Sequence, residues 1–132
     1  MFANGQDGQA FGMDNNRTAV LLAIDKGANV IEADIYQWQA FLPFDAVFLG
    51  DTIEHLAYWQ DALKQIKKYL NPEGYLYITT PPATKDRKLQ DKFHYFEWTP
   101  EEFKINVESQ GFELVEPIET KYFRMFGKFR KA

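Results

Sequence analysis

The sequence contains no cysteine, which excludes both a disulfide framework and a thiolate metal site. It also lacks an apolar run close to the roughly 20 residues that a membrane-spanning helix needs. The first residues, Met1 to Gly5, include neither a basic segment nor an apolar one, so they do not have the pattern of a signal peptide. These absences predict a cytoplasmic protein without membrane insertion.

An excess of positive charge is missing as well. The net charge is -4 at pH 7 and the sequence pI is near 5.2. Sequence-independent binding to nucleic acids depends on clustered basic residues, so this balance disfavours RNA as a partner. Hydrophobic residues make up 45% of the chain, which is enough for a packed core, and 132 residues fit one domain, residues 1–132.

The chain is organised around a short apolar run at residues 46–49, which predicts a strand buried on both faces, as in a parallel sheet. Gly50 ends the run, and Asp51, Glu54 and His55 follow it. Their spacing would let one helical turn present all three on one face. Ligands of open α/β sheets bind beyond the carboxyl ends of the strands, so this cluster is where we expect chemistry.

The remaining elements follow from periodicity and turn residues. The predicted strands cover residues 10–13, 29–33, 46–49, 75–80, 112–118 and 121–130, and the helices cover residues 16–26, a stripe from 56 to 70, and 99–110. Residues 71–74 should form a turn. The first helix should bury one side, which consists of Ala19, Val20, Leu22, Ala23 and Ile24. Residues 1–9 read as a loop, residues 83–92 as a surface loop or a frayed helix, and Tyr36, Trp38 and Phe41 should fold onto the core.

This order predicts an α/β fold: a mostly parallel sheet with helices on both faces and an antiparallel pair of C-terminal strands. Six blocks of the sequence also occur in an order that is characteristic of one protein family. They are GMD at 12–14, VIEADI at 30–35, FDAVFLGDTIEHL at 44–56, LNPEGYLYITTP at 70–81, HYFEWTPEEF at 94–103 and GFE at 111–113. The ordered set resembles class I S-adenosylmethionine-dependent methyltransferases with a Rossmann-like fold, of the type 11 and type 23 kind.

The resemblance implies S-adenosylmethionine as cofactor and a set of residues that hold it. A ribose diol offers two O–H donors that one carboxylate accepts together, and the adenine amino group also needs an acceptor. A strand-end aspartate on its own is more often simply solvated, so the positions at successive strand ends carry the inference. The implied cofactor-binding residues are Asp14, Asn15, Asp34, Ile35, Gly50 and Asp51.

The sequence departs from the family at its start. The family's first strand and glycine-rich loop should precede Phe11 by about 25 residues for a strand-helix unit. Only ten residues stand there, and no apolar strand is among them. Three explanations are open: a truncated reading frame, a domain completed by another chain or by rearranged pairing, or a degenerate homologue. The second predicts a homo-oligomer or a completing chain.

The ionisable cluster has two interpretations. Asp51, Glu54 and His55, with the distant His94, are similar to the metal-binding set of small-RNA 3′-terminal 2′-O-methyltransferases, and such ligands suit Mg²⁺ or Mn²⁺. In the other interpretation no metal is used, His55 and Asp51 are the catalytic residues with His55 as base, and His94 packs on Trp98. Tyr95 and Trp98 are the residues expected to contact the substrate.

These inferences lead to one expected function and two alternatives. The resemblance implies methyl transfer, and we expect the acceptor to be an oxygen of a small molecule, a lipid precursor or a glycan. The first alternative is a metal-assisted RNA 2′-O-methyltransferase. The second is a non-catalytic truncated homologue that acts as an interaction module.

Overall fold

The computed structural model describes residues 10–40 and 43–132. The predicted loop at residues 1–9 and the predicted packing of Phe41 lie outside these ranges. Within them, every helix is too short or too polar to cross a membrane.

Strands and helices alternate along most of the chain. The strands are β1 Gly12–Asp14, β2 Val30–Glu32, β3 Phe44–Gly50, β4 Leu70–Thr80, β5 Phe112–Leu114, β6 Glu119–Lys121 and β7 Arg124–Lys131. The helices are α1 Arg17–Asp25, α2 Trp59–Tyr69 and α3 Pro100–Glu108, with a short 3₁₀ helix at Ile53–His55. Local chemistry sets several of these limits. Thr99 caps α3 by accepting the N–H of Glu102, as predicted, and glycines with positive φ follow α1 and α3 at Gly27 and Gly111.

The strands form two sheets. β1 and β2 pair in parallel, and five strands form the second sheet in the order β3-β4-β7-β5, with β6 also paired to β7. β3 and β4 are parallel, whereas β7 runs antiparallel to β4, β5 and β6. The predicted α/β class is therefore confirmed, with a parallel part followed by an antiparallel C-terminal part. The C-terminal part has three strands instead of the expected two, because β6 turns back directly onto β7.

The two sheets are separated between β1 and β3. In the described residues, β1 pairs only with β2 and β3 pairs only with β4. An apolar cavity lies there, with Met13 of β1 on one side and Val47 of β3 on the other.

The core lies where α2 and α3 pack on the larger sheet. Leu63 and Ile66 of α2 and Phe103 of α3 are less than 2% exposed. Leu76 of β4 pairs with Phe129 of β7, and both side chains enter the same cluster. Burying apolar side chains of this size contributes about 1.5–3 kcal/mol each, so this cluster holds the sheet and the two helices together.

The predicted helix after β3 differs from the structure. Only Ile53–His55 are helical directly after the strand, and α2 begins at Trp59 because the backbone at Leu56 is extended. The predicted apolar stripe of α2 is confirmed at Leu63 and Ile66, which are buried. Leu70 lies beyond the helix, as the first residue of β4.

The predicted turn at residues 71–74 is wrong. These residues lie inside β4, because Leu70 already pairs with Phe44 before the regular ladder starts at Ala46 and Tyr75. The extra residues form an irregularity in the strand, which is how sheets accommodate such an insertion.

The predicted buried face of α1 is also largely wrong. Only Val20 is buried, whereas Leu22 and Ile24 are each at least half exposed. The helix contacts mainly the short strands β1 and β2, and these offer little surface to cover its apolar residues.

Candidate functional site

The carboxyl end of β3 is fixed by hydrogen bonds to β4. The backbone N–H of Asp51 donates to the carbonyl oxygen of Thr79 at 3.0 Å and to its hydroxyl at 3.1 Å. Asp51 has a φ of 45°, a conformation that costs a non-glycine residue about 1–3 kcal/mol. The strained turn directs the chain from Gly50 toward Thr52, and the segment from Gly50 to Thr52 borders two separate cavities.

The first is the apolar cavity between β1 and β3, with a volume of about 210 Å³. It is lined by Met13, Ile35, Trp38, Val47, Phe48, Leu49, Gly50, Thr52 and Ile66. Two of the predicted cofactor residues, Ile35 and Gly50, therefore meet here. The indole N–H of Trp38 is buried in this region and has no hydrogen-bond partner among the described residues. A buried donor without a partner fits a site whose ligand carries acceptors.

Asp14 and Asp34 lie at the ends of the adjacent strands β1 and β2. One oxygen of Asp14 accepts the N–H of Asn16, and one oxygen of Asp34 accepts the N–H of Tyr36, each at 2.8 Å. These turns orient both carboxylates. In the described part of the chain the second oxygen of each has no hydrogen-bond partner, so both carboxylates offer acceptors for the hydroxyl and amino groups of S-adenosylmethionine. Asn15 follows with an exposed side chain.

The second cavity is a polar cleft of about 330 Å³ on the other side of the same segment. It is lined by Asp51, Glu54, His55, Pro81, Gln90, His94, Tyr122, Phe123 and Arg124. Glu54 is 1% exposed and accepts a hydrogen bond from the Thr80 hydroxyl at 2.9 Å. Burial raises the pKa of the Glu54 carboxyl above its ordinary value, although the hydrogen bonds that it accepts and the neighbouring His55 act in the opposite direction.

The two histidines of the protein face each other in this cleft. Their rings meet edge to face with centroids 4.7 Å apart. His55 directs Nδ1 toward the carbonyl oxygen of Phe93 at 3.3 Å, and its Nε2 lies 3.9 Å from Oε1 of Glu54. His94 directs Nδ1 toward Oε2 of Glu97 at 2.6 Å. The predicted association of Glu54, His55 and His94 is thus present, whereas the alternative packing of His94 on Trp98 is not what the structure shows.

Asp51 does not join these three residues. The 3₁₀ helix starts only at Ile53, so Asp51 does not share a helical face with Glu54 and His55 as predicted. Its carboxylate instead accepts a hydrogen bond from Nε of Arg124 at 2.7 Å. Asp51 therefore lines the cleft without belonging to the group of potential metal ligands, whose atoms lie within 4.8 Å of one another.

The two residues predicted to contact substrate have opposite environments. Tyr95 is 65% exposed, and its backbone N–H donates to the carbonyl oxygen of Glu54 at 2.8 Å. Trp98 is only 6% exposed and packs against Trp59 and Phe96. The substrate prediction for Trp98 is therefore wrong, because its ring forms part of the core, whereas Tyr95 stays a prediction.

The sequence did not reveal the other side of the cleft. Tyr122 and Phe123 connect β6 to β7, have φ values of 53° and 60°, and are 80% and 84% exposed. Two-residue hairpins of this backbone type normally contain Asn and Gly, so no turn signal marks this position. Glu97 is 6% exposed, and its contact with His94 three residues earlier could have been inferred from the spacing.

Comparison with known proteins agrees with this geometry. A family model described as "Methyltransferase domain" matches residues 4–116. A comparison with curated protein sequences returned no match.

Several solved structures, two of them of methyltransferases, share the fold. The CcbJ methyltransferase from Streptomyces caelestis has a TM-score of 0.74 and 13% identity over 92% of this chain and 74% of its own. Magnesium protoporphyrin IX methyltransferase (ChlM) from Synechocystis PCC 6803, solved with bound SAH, has a TM-score of 0.71 and 12% identity over 92% and 64%. LepI in complex with SAM has a TM-score of 0.76 and 12% identity over 96% of this chain. The chain spans only 37% of the length of LepI.

Proposed function

The chain belongs to the methyltransferase-domain family, and on that premise we propose that it transfers a methyl group from S-adenosylmethionine to a hydroxyl oxygen of a small molecule. The observation that supports this most directly is the position of Gly50 to Thr52 between the apolar cavity and the polar cleft. The apolar cavity offers a site for the cofactor, and the polar cleft offers groups that can accept or donate protons.

The cofactor site combines apolar and acceptor groups. Ile35 and Trp38 supply apolar surface in the cavity. Asp14 at the end of β1 and Asp34 just after β2 supply oriented carboxylates. S-adenosylmethionine carries a ribose diol and an adenine amino group, both donors that these oxygens can accept. When bound, it supplies an electrophilic sulfonium methyl group.

The acceptor site follows from the chemistry of an O-methylation. A hydroxyl group must lose its proton as the new bond forms, so an accepting group must lie beside it. His55 is the half-exposed member of the polar cluster, and its Nδ1 faces a carbonyl oxygen. A carbonyl can only accept, so Nδ1 carries the hydrogen and Nε2 presents a lone pair to the cleft. Nε2 of His55 therefore accepts the proton that the acceptor hydroxyl loses.

The cleft also indicates which acceptors fit. A volume of about 330 Å³ holds one small molecule, and the exposed rings of Tyr122 and Phe123 flank its entrance. Rings of this kind cover the apolar face of an acceptor while its hydroxyl points to His55. We therefore infer an acceptor with one apolar face, such as an aromatic or lipid-like alcohol. Lipid precursors and glycans with such a face belong to the same class.

The residues of the chain act mainly by placing the two reactants. Transfer of a methyl group is an in-line displacement, so alignment and the exclusion of water provide much of the rate. The hydrogen bonds from Asp51 to Thr79 hold the end of β3 rigidly between the two sites. His55 lies two residues beyond Ile53, which is completely buried and anchors the 3₁₀ helix in the core.

The first test is calorimetric titration of the purified chain with S-adenosylmethionine. We expect binding that weakens about tenfold or more in Asp14→Asn and Asp34→Asn, since a hydrogen bond to a charged group contributes about 1.5–3 kcal/mol. Asparagine keeps the oxygen that accepts the backbone N–H, so the turns survive. Asp25→Asn, at the end of α1, is the matched control and should bind like the parent chain.

The second test is methyl transfer to a panel of alcohols, phenols and amines, followed with cofactor labelled in the methyl group. We expect labelled ethers, and a loss of about 10²–10⁴ in rate for His55→Ala. Labelled amines without ethers would contradict the acceptor assignment. A folded chain that does not bind the cofactor would contradict the proposed function as a whole.

A further inference from the structure

We propose that Glu54, His55 and His94 form a binding site for one divalent transition-metal ion. One ligand atom from each residue lies within 4.8 Å of the others, a separation that small movements of the side chains convert to coordination of a single ion. The site does not depend on the proposed reaction, and only its role in catalysis rests on the proposed function.

The histidine rings are oriented as ligands are. Nδ1 of His55 faces the carbonyl oxygen of Phe93, and Nδ1 of His94 faces a carboxylate oxygen of Glu97. Both partners accept hydrogen bonds, so each Nδ1 carries the hydrogen and each Nε2 keeps its lone pair. Metal-bound histidines almost always donate their other ring N–H to a carboxylate or carbonyl in this way, which fixes the tautomer and the ring orientation.

Charge at the site also favours a cation. Glu54 and Glu97 are both buried, with 1% and 6% exposure. Within the described ranges no lysine or arginine nitrogen lies within 4.0 Å of either carboxylate, and the nearby ion pairs involve only the two histidines. Burying carboxylates without compensating positive charge is costly, and a divalent ion would compensate both. Oε1 of Glu97 also has no hydrogen-bond partner among the described residues.

The position of the cluster leaves room for further ligands. Glu54 and His94 line the wall of the cleft, and the side chain of His55 is 43% exposed. Three protein ligands with open positions are typical of catalytic metal sites, in which water or substrate completes the coordination. Structural metal sites, by contrast, have four protein ligands and are closed.

The ligand types indicate which ions fit. Two imidazoles and one carboxylate suit Mn²⁺, Fe²⁺, Co²⁺ or Zn²⁺ better than Mg²⁺, which prefers oxygen ligands. Affinity should rise from Mn²⁺ to Co²⁺ in the usual order for nitrogen and oxygen ligands. This refines the expectation from the sequence, in which Mg²⁺ and Mn²⁺ were equivalent and Asp51 was a fourth ligand.

The ion gives the cluster a defined role in the proposed reaction. A bound ion would lower the pKa of a hydroxyl group placed beside it, as metal ions do for bound water. Nε2 of His55 would then hold the ion, so in the metal-bound protein the ion would replace His55 as the group that activates the hydroxyl, and the hydroxyl proton would pass to solvent. The oxygen forms its bond to the methyl carbon as the bond between carbon and sulfur breaks, and S-adenosylhomocysteine leaves.

The test is titration of the metal-free full chain with Mn²⁺, followed by electron paramagnetic resonance, and with Co²⁺, followed by visible absorption. Neither measurement requires cofactor or acceptor, so failure of this proposal is distinguishable from failure of the proposed function. We expect one ion per chain and a Co²⁺ absorption band. Binding should weaken more than tenfold in His55→Ala and in His94→Ala.

Two further variants sharpen the result. Glu97→Ala, which removes the acceptor for Nδ1 of His94, should weaken binding about 10–100-fold, the range found when the partner of a metal-bound histidine is lost. Asp51→Asn is the matched control, because Asp51 lines the same cleft but lies outside the cluster, and its Mn²⁺ affinity should stay within about threefold of the parent. Failure of the parent chain to bind either ion overturns the proposal, as does binding that His55→Ala leaves unchanged. His55 is exposed, so this variant should remain folded.

Discussion

Arg124 and Asp51 join two parts of the site that lie 73 residues apart in the sequence. Nε of Arg124 donates to Oδ2 of Asp51 at 2.7 Å, and this contact ties the hairpin between β6 and β7 to the end of β3. It therefore sets the position of Tyr122 and Phe123 relative to the polar cleft. Both side chains are more than one third exposed, so the contact should influence geometry more than stability.

Replacing Arg124 tests whether this contact affects the geometry of the site more than the stability of the fold. We expect Arg124→Gln to lower the free energy of unfolding by only about 0.2–1 kcal/mol, because exposed ion pairs contribute little. Methyl transfer should fall by a larger factor, about tenfold or more, since a misplacement near the reacting groups is costly. Chemical denaturation and steady-state kinetics measure the two effects.

The chain offers a matched control for this variant at the other end of β7. Nε of Arg130 lies 3.2 Å from Oε2 of Glu113, with nearly the same exposure of the arginine. Arg130→Gln should change stability by a similar amount and leave methyl transfer unaffected. Equal losses of activity in both variants would show that Arg124 has no special role in the site.

The strained hairpin gives a second prediction. Tyr122 and Phe123 have left-handed backbone conformations that favour Asn and Gly, so the double variant Tyr122→Asn, Phe123→Gly should raise the free energy of unfolding by about 1–2 kcal/mol. The same variant removes the exposed rings and should raise KM for an apolar acceptor. Thermal unfolding and kinetics with an aromatic alcohol measure the two changes.

Tyr95→Gly is the control for the hairpin variant, since Tyr95 is an exposed aromatic residue without positive φ. It should not stabilise the protein. If the hairpin variant is stabilised but keeps its KM, the rings take no part in binding the acceptor.

The contrast between Trp98 and Tyr95 gives a third prediction. Trp98 is buried between Phe96 and Trp59, so Trp98→Ala should lower the free energy of unfolding by about 3–5 kcal/mol. Tyr95→Ala removes an exposed ring and should change it by no more than about 0.5 kcal/mol. Urea denaturation distinguishes the two, and a small effect at Trp98 would contradict its assignment to the core.

A fourth prediction concerns pH and the ion pair between Arg87 and Glu102. The hydrogen bond from Arg87 lowers the pKa of the Glu102 carboxyl below its ordinary value, and the cap residue Thr99 acts in the same direction. A carboxyl with a lowered pKa contributes stability above the pKa of the unfolded chain, near 4.5, and the contribution is lost as the pH falls through the folded value.

Glu102→Gln should therefore be slightly less stable than the parent at pH 7, and the difference should shrink as the pH falls below about 4.5. The Arg87 side chain is 52% exposed and that of Glu102 is 39% exposed, so solvent weakens the pair and the difference is small. Glu101→Gln, which alters the neighbouring residue in the same helical turn, serves as control and should show a weaker pH dependence. A Glu102→Gln difference that does not shrink as the pH is lowered would contradict the ionic origin of the effect.

Local patterns in the sequence determined the elements and their order. The apolar run before Gly50, the cap at Thr99 and the glycines after α1 and α3 act within a few residues, so they can be recognised without the fold. Asp14 and Asp34 can be recognised in the same way, because they lie at the end of β1 and just after β2. The association of Glu54 with His55 was visible for the same reason.

Only the tertiary structure decided which distant side chains meet. His94 reaches Glu54 because the loop after β4 returns to the 3₁₀ helix, where Tyr95 donates to the carbonyl of Glu54. Asp51 leaves the cluster because a strained backbone turns it toward Arg124, which β7 brings to the end of β3. The register between β4 and β7 sets these contacts, and it depends on packing across the whole sheet rather than on any short stretch of sequence.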